Sequence, residues 1–326
     1  MEADIPEGCE GVLHISDLHF GTDHGYSRRP QDSTYFRRNL LEKVTESLPC
    51  RPACVVVSGD LTTKGQGDGL RSARLFLEEL AERLGLPKHC IVIAPGNHDI
   101  LIDDPELTRD FSNELPFREL LALFYGEKVD IERVHDLRDP HGRHYIIGVL
   151  NSSRPRHRTN MDYGYVGRDR SAPVFRSMSA LAQRPRQAAW VAVTLHHHVL
   201  PGQHVEIPEE ERPVSLCLDA GELLTLAQES GVSTILHGHQ HLPFAASVTR
   251  LAEYTSAGVV RPKRSAIHVL ASGSSGVEAG RIPGEIGLNT FSIYRPFNAK
   301  GRVKVACYAY RDVRDVERVW ELTLRN

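Results

Sequence analysis

The feature of this sequence that most constrains its fold is a repeated pattern, in which a short apolar run ends in side chains able to bind metal. Five such runs occur, at residues 13–16, 53–57, 90–94, 190–195 and 233–236. Their length and their β-branched residues predict buried strands. Because ligands bind at the carboxyl ends of strands in α/β sheets, we expect the polar segments that follow these runs to lie together.

Those polar segments supply carboxylates, imidazoles and one amide. They read Asp17-Leu18-His19, Gly59-Asp60, Pro95-Gly96-Asn97-His98-Asp99, His196-His197-His198 and Gly238-His239-Gln240-His241. The third segment alone is as consistent with an ordinary polar turn as with a site. Five segments of this kind at five strand ends favour a metal centre. Among the three consecutive histidines we favour His196 as the ligand, since it comes first after its strand.

The ligand types indicate the metal and its chemistry. Carboxylates, imidazoles and an amide oxygen without thiolates suit Mn, Fe or Zn. Seven ligands are too many for one tetrahedral zinc but suffice for two ions that share a carboxylate. Two ions about 3.5 to 4 Å apart can clamp the attacking and leaving oxygens of an in-line displacement at phosphorus. Because such ions acidify a bound water, the site would make its own hydroxide nucleophile.

Taken together, the five segments resemble the signature of the calcineurin-like metallophosphoesterases, in order and in type, from residue 17 to residue 241. The resemblance implies an α/β fold, a four-layer αββα sandwich of two mixed β-sheets flanked by helices. It implies one metal held by Asp17, His19, Asp60 and His241, and a second held by Asp60, Asn97, His196 and His239, with Asp60 as the bridge. It also implies that His98 contacts the scissile phosphate or protonates the leaving oxygen, with Asp99 orienting its imidazole.

Departures from particular branches of that family narrow the substrate. Protein Ser/Thr phosphatases carry Asp and Arg where this chain has Thr63 and Lys64, and lysine lacks the bidentate geometry of arginine. Purple acid phosphatases need a tyrosine ligand at Thr63. The runs 15–20 and 59–62 are more similar to class III cyclic nucleotide phosphodiesterases. The leading hypothesis is therefore a phosphodiesterase acting on a nucleotide-type or other small diester.

Two alternatives are a metal-dependent DNA or RNA nuclease and a nucleotide-sensing module of a larger signalling protein. The intact His98 argues against the second. The formal net charge of −3 argues against a generally basic nucleic-acid binder, so nucleic acid is not the favoured partner. The chain start lacks a secretory leader, no apolar run approaches the roughly 20 residues of a membrane span, and the six cysteines are scattered. These features favour a cytoplasmic protein.

The order of elements predicts one domain over residues 1–326. Strands and helices alternate at first, whereas residues 246–326 read as mainly antiparallel β-structure that completes the second sheet. A helix is predicted over 105–126 and divided by Pro116, and another over 173–183. A capping box of Asp219 and Glu222 is predicted to begin a further helix.

Three residues outside the metal set are candidates for substrate contact, namely His24, Lys64 and Asn151. The arginine-rich stretch from Asn151 to Arg186 has two interpretations. It is either a surface insertion whose arginines pair with acids such as Glu206 to Glu211, or a basic rim that steers an anionic substrate. His14 lies within a predicted strand and is interpreted as a packed core residue.

Overall fold

The computed structural model describes residues 1–21, 32–46, 48–65, 67–100, 112–154, 163–183, 188–202, 215–249, 253–255, 258–260, 266–277, 282, 287–297, 302–310 and 316–325. The strands are β1 Glu2–Asp4, β2 Val12–Ile15, β3 Cys54–Ser58, β4 Ile91–Ala94, β5 Arg133–Arg138, β6 His144–Val149, β7 Ala189–Thr194, β8 Thr234–His237, β9 Pro243–Val248, β10 Glu253–Thr255, β11 Gly258–Val260, β12 Ile267–Ser272, β13 Asn289–Arg295, β14 Arg302–Tyr310 and β15 Val316–Arg325. The helices are α1 Asp32–Glu46, α2 Gly67–Leu84, α3 Leu115–Tyr125, α4 Arg168–Ala182 and α5 Ala220–Glu229.

The strands form two large mixed sheets and a separate β10–β11 pair. The first sheet has the order β1-β5-β6-β7-β8-β12-β9, and the second has the order β15-β14-β13-β2-β3-β4. In the second sheet β2, β3 and β4 are parallel, and in the first β6, β7, β8 and β12 are parallel. All five strands predicted to carry the site belong to these parallel groups, so their carboxyl ends share an edge within each sheet.

Alternating side chains along β6 reveal the layers. Tyr145, Ile147 and Val149 join a hydrophobic cluster that also contains the strands of the second sheet and helices α1 to α3. Ile146 instead joins a second cluster with residues of α4 and α5. Each side of β6 is therefore buried, one toward the second sheet and one toward helices. The predicted α/β sandwich of two mixed sheets flanked by helices is confirmed.

The C-terminal part of the chain contributes to both sheets. Strands β13 to β15 extend the second sheet as predicted, but β12 pairs in parallel with β8 and antiparallel with β9 in the first sheet. The prediction that residues 246–326 complete the second sheet was therefore wrong for β12 and for the end of β9, and β10 and β11 form a pair of their own. All six residues of β12 are buried, as expected for a strand inside a sheet with both faces covered.

Helix boundaries differ from the predicted ones for local reasons. Pro116 lies in the first turn of α3, where its missing N–H costs nothing, so it does not divide that helix; residues 105–111 lie outside the described residues. Helix α4 begins at Arg168, before the predicted start, and includes Pro173. The capping box is absent, because the Asp219 carboxylate accepts hydrogen bonds from the backbone of 166–167 instead. No helix in the described part of the chain is long and apolar enough to cross a bilayer.

Candidate metal centre

Side chains from both sheets converge where the parallel strands end. Two groups of three ligand-type residues form there, and within each group the possible ligand atoms lie within 4.8 Å of one another. The first group consists of Asp17, His19 and His241, and the second of Asp60, His196 and His239. Each group combines residues that follow strands of the second sheet with residues that follow strands of the first.

One oxygen of Asp60 lies between the two groups. Its Oδ2 atom is 3.2 Å from Nε2 of His196 and 3.7 Å from Nε2 of His19. Its other oxygen, Oδ1, accepts a hydrogen bond of 2.8 Å from the backbone N–H of His98. Because the second oxygen is held in this way, Oδ2 is the atom available to both groups.

Asn97 adds an amide oxygen to the second group. Its Oδ1 atom is 3.1 Å from Nε2 of His196 and 3.0 Å from Nδ1 of His239. In the first group, Nε2 of His241 is 3.3 Å from Nε2 of His19 and 3.4 Å from an oxygen of Asp17. The structure therefore brings together the seven residues predicted as ligands, and each places a possible metal-ligand atom near those of its neighbours.

His196 is distinguished from the two histidines after it by its neighbours. Its Nδ1 atom donates to the carbonyl oxygen of Ser58 at 2.8 Å, so Nε2 is the ring nitrogen that faces the ligand group. His197 contacts the Ser152 hydroxyl through Nδ1, and His198 contacts the side chain of Gln240. Neither belongs to the two ligand groups.

The backbone at the site is strained. Among the described residues other than glycine, five have a positive φ, and all five are candidate ligands: Asp17 at 54°, His19 at 50°, Asp60 at 51°, His239 at 75° and His241 at 59°. Left-handed backbone costs roughly 1–3 kcal/mol at such residues and is concentrated at functional sites. The strained conformations therefore coincide with the ligand positions.

Two glycines of the site allow close approach of its backbone segments. A Cβ atom at Gly96 would clash with the backbone N and side chain of Asp60, and one at Gly238 would clash with Ser16 and Asp17. These glycines therefore permit the loops that carry Asn97 and His239 to lie directly against the loops that carry the carboxylates.

The segment that supports Asp17 is not among the residues predicted to form the site. The hydroxyl of Ser274 and the backbone N–H of Gly276 donate to the Asp17 carbonyl oxygen at 2.9 and 3.1 Å. The backbone N–H of Ser275 donates to the carbonyl of Ser16 at 2.8 Å. This segment follows β12, which lies next to β8, so its place in the sheet brings it to the site. The run of small residues in Ser272-Gly-Ser-Ser-Gly276 is the signal in the sequence.

The charges of the second group are strongly coupled. Burial would raise the pKa of Asp60, but the imidazoles of His196, His98 and His19 lower it well below the usual range. Burial would lower the pKa of His196, but the Asp60 carboxylate raises it to about 9. Burial, followed by His197 and His196, lowers the pKa of His239. A metal that binds Nε2 of His196 therefore displaces a proton from that imidazole.

His98 and Asp99 are arranged differently from the expectation. Nδ1 of His98 contacts the carbonyl oxygen of Thr63 at 2.9 Å. The Asp99 carboxylate accepts from Leu61, Thr62 and Gly96 at 2.9 to 3.1 Å. The expected orientation of His98 by Asp99 is therefore replaced by the Thr63 carbonyl. Burial, followed by the charge of Asp60, raises the pKa of Asp99 to about 7.

The three candidates for substrate contact have different outcomes. Asn151 is fully buried, and its amide donates to Glu114 at 3.0 Å while its oxygen accepts from the Ser153 backbone at 2.9 Å, so its polar atoms hold the fold rather than a substrate. Lys64 is exposed beside Thr63, and its role in substrate binding stays a prediction. His24 lies outside the described residues.

Three of the described arginines after Asn151 form ion pairs, and a fourth, Arg176, is exposed. Each distance here runs from the Nη1 atom of the arginine to a carboxylate oxygen. It is 3.4 Å from Arg154 to Asp169, 2.8 Å from Arg168 to Glu222 and 3.0 Å from Arg170 to Glu132. These contacts favour the surface interpretation for the three arginines, with acidic partners other than those expected. Residues 155–162, 184–187 and 203–214 lie outside the described part of the chain, and they include Arg156, Arg158, Arg184, Arg186 and the expected acids.

Comparisons with known proteins agree with this geometry. The sequence model of the calcineurin-like phosphoesterase family matches residues 11–243. A probable cyclic nucleotide phosphodiesterase of Rhodococcus erythropolis is 27% identical over 240 residues, which are 73% of this chain and 67% of that protein. A cAMP/cGMP dual specificity phosphodiesterase of Mycobacterium tuberculosis is 34% identical over 116 residues, about a third of either chain.

Among solved structures, a purple acid phosphatase from yellow lupin seeds superposes with a TM-score of 0.53 at 11% sequence identity. The superposition covers 96% of this chain but 53% of that phosphatase, so this chain spans about half its length. At this identity the likeness concerns the fold alone.

Proposed function

This chain belongs to the calcineurin-like phosphoesterase family, and we propose that it is a dimetal-dependent phosphodiesterase that acts on a nucleotide-type or other small diester. The observation that carries this proposal is the position of Asp60 Oδ2, 3.2 Å from His196 and 3.7 Å from His19. A carboxylate oxygen between two groups of imidazoles is suited to join two cations.

The residues fit such a pair of ions. The donors are carboxylate, imidazole and amide atoms, which suit Mn, Fe or Zn. Asp17, His19, Asp60 and His241 would hold one ion, and Asp60, Asn97, His196 and His239 the other. When bound, the ions supply positive charge that polarises the phosphoester and acidifies water. The left-handed backbone of five of these residues supports the fit, because strain of this kind is usually kept for function.

His98 is proposed to act on the substrate rather than on the ions. Its Nδ1 atom donates to the Thr63 carbonyl, so Nε2 is the ring atom that can exchange a proton. Its ring packs edge-on against that of His19 at 5.2 Å between centroids, which places it beside the first ligand group. From there it can donate a hydrogen bond to the phosphate or a proton to the leaving oxygen.

Two features support a diester over a monoester. Lys64 stands where protein phosphatases have an arginine that grips the phosphate dianion, and it lacks that bidentate geometry. Both curated relatives described above are named as cyclic nucleotide phosphodiesterases. A diester carries one negative charge fewer than a monoester dianion, so it has less need of a second cationic clamp.

The test is a substrate screen of the purified, Mn-loaded protein. We expect faster hydrolysis of bis(p-nitrophenyl) phosphate than of p-nitrophenyl phosphate, and turnover of at least one cyclic nucleotide. Asp60→Asn is the control for contaminating activity. A tenfold preference for the monoester would contradict the proposal, and cleavage of single-stranded DNA without cyclic nucleotide turnover would replace it by a nuclease.

A further inference from the structure

A buried chain of hydrogen bonds leads from the C-terminal part of the molecule to the second ligand group. The hydroxyl of Tyr294 in β13 lies 2.6 Å from Nδ1 of His14 in β2. Nε2 of His14 lies 2.8 Å from the hydroxyl of Ser58 in β3. The carbonyl oxygen of the same Ser58 accepts the 2.8 Å hydrogen bond from His196. Four residues of this chain are fully buried, namely His14, Ser58, His196 and Tyr294.

The imidazole of His14 uses both of its nitrogens in this chain. Burial lowers its pKa to about 3, so the ring is neutral near pH 7, with one nitrogen donating and the other accepting. The hydroxyls of Tyr294 and Ser58 can each take the complementary role. An apolar residue could fill the same space, but it would leave two buried hydroxyls without this partner, which is unfavourable.

Ser58 is the point at which this chain meets the site. It is the last residue of β3, directly before Gly59 and Asp60. His14 therefore holds the side chain of the same residue whose carbonyl oxygen contacts His196. The first ligand group has different support, because Asp17 is held by Ser274 and Gly276.

We infer that His14 is a positioning residue for the second ligand group, through its contact with the Ser58 hydroxyl. The inference rests on the proposed function, because it assigns His14 to one of the two proposed metal subsites. Partners in the layer behind metal ligands set the orientation of the ligand ring, and their loss typically weakens metal binding by 10 to 100-fold.

A pair of substitutions separates positioning from packing. The side-chain amide of glutamine can replace Nε2 of histidine, whereas that of asparagine replaces Nδ1. His14→Gln should therefore keep the contact with Ser58, and His14→Asn should keep only the contact with Tyr294. Tyr125→Phe is a control for the loss of a buried polar contact elsewhere in the core, because the Tyr125 hydroxyl donates to the Ile91 carbonyl and accepts from Arg133, neither of which is a candidate ligand.

The measurement is a titration of the metal-free protein with Co²⁺, followed by absorbance and calorimetry, with unfolding in urea as a separate readout. The parent should bind two ions. In His14→Asn one of the two should bind about tenfold more weakly, the lower end of the range for such partners. In His14→Gln and Tyr125→Phe both metal affinities should stay within about threefold of the parent, a smaller change than the loss of a supporting partner causes.

The inference would be overturned if His14→Asn and His14→Gln were equally destabilised and both kept two parental affinities, since His14 would then serve the core alone. It would also be overturned if both ions weakened equally in His14→Asn. A parent that binds no second ion would instead contradict the proposed dimetal function.

Discussion

The buried carboxylate of Asp99 accepts two hydrogen bonds from Thr62, one from its backbone N–H at 2.9 Å and one from its hydroxyl at 3.0 Å. The other oxygen of Asp99 accepts from the backbone of Leu61 and Gly96 at 3.1 and 2.9 Å. Asp99 thereby joins the loop after β3 to the loop after β4, which carry Asp60 and Asn97. Its contribution is to keep two ligands in one place.

Asp99→Asn should therefore destabilise the metal-free protein. An amide NH₂ would face N–H donors in place of an acceptor oxygen, and the loss of a buried hydrogen bond to a charged group costs about 1.5–3 kcal/mol. Urea unfolding measures this cost, with His98→Ala as the comparison, because we expect that change to leave stability near the parent. If Asp99→Asn were as stable as the parent but lost turnover to the same extent as His98→Ala, Asp99 would instead orient the His98 imidazole.

The shared position of Asp60 leads to a prediction about metal content. Asp60→Asn should weaken both ions, because the charged oxygen between His196 and His19 is lost. His241→Ala should mainly empty the group of Asp17 and His19, since His241 lies 3.3 Å from Nε2 of His19 and 3.4 Å from an oxygen of Asp17. Elemental analysis after desalting tests both. Two ions retained per chain in Asp60→Asn would rule out the bridge.

His98→Ala separates substrate chemistry from metal binding. The variant should retain its metals, because the His98 side chain belongs to neither ligand group. Its turnover should fall by about 10² to 10⁴, the range for loss of general acid help. The decrease should be larger for a diester with a poor leaving group than for one with a p-nitrophenolate. If His98→Ala and the parent hydrolysed the diester with the poor leaving group at equal rates, His98 would have no part in the mechanism.

His14 makes the stability of the metal-free protein depend on pH. Its pKa is about 3 in the folded state, below the ordinary value of 6.5. As pH falls below about 6.5, His14 therefore becomes protonated in the unfolded chain but stays neutral in the native state. The free energy of unfolding then decreases with falling pH until about pH 3. The contribution of His14 to the slope approaches about 1.4 kcal/mol per pH unit. Urea unfolding of the parent and His14→Gln in EDTA from pH 4.5 to 7 should give a shallower slope for the variant, and parallel slopes would contradict the assignment.

The sequence predicted the parts of this molecule that depend on local pattern. The apolar runs became β2, β3, β4, β7 and β8 within one or two residues, because buried parallel strands have a continuous apolar pattern. The candidate ligands could be predicted because each lies within four residues of the end of such a strand, and their division into two groups was implied by the resemblance to the family.

What the sequence did not predict depends on contacts between distant segments. The Asp219 carboxylate binds the backbone at 166–167 instead of capping its own helix, and Thr63 rather than Asp99 holds His98. The roles of Ser274 and Tyr294 depend on which sheet β12 and β13 join. Periodicity within a single strand carries no information about that choice.

The left-handed backbone at five candidate ligands lowers the stability of the metal-free fold while it positions the side chains proposed to bind metal. Without metal, the strain at Asp17, His19, Asp60, His239 and His241 is a cost that the rest of the fold must offset. Glycine adopts a positive φ without this cost. A chain selected only for resistance to heat, with no demand for hydrolysis, would therefore be expected to lose these ligands first. A variant with glycine at one of these positions should have a higher Tm than the parent when both are free of metal, and it should bind metal less well.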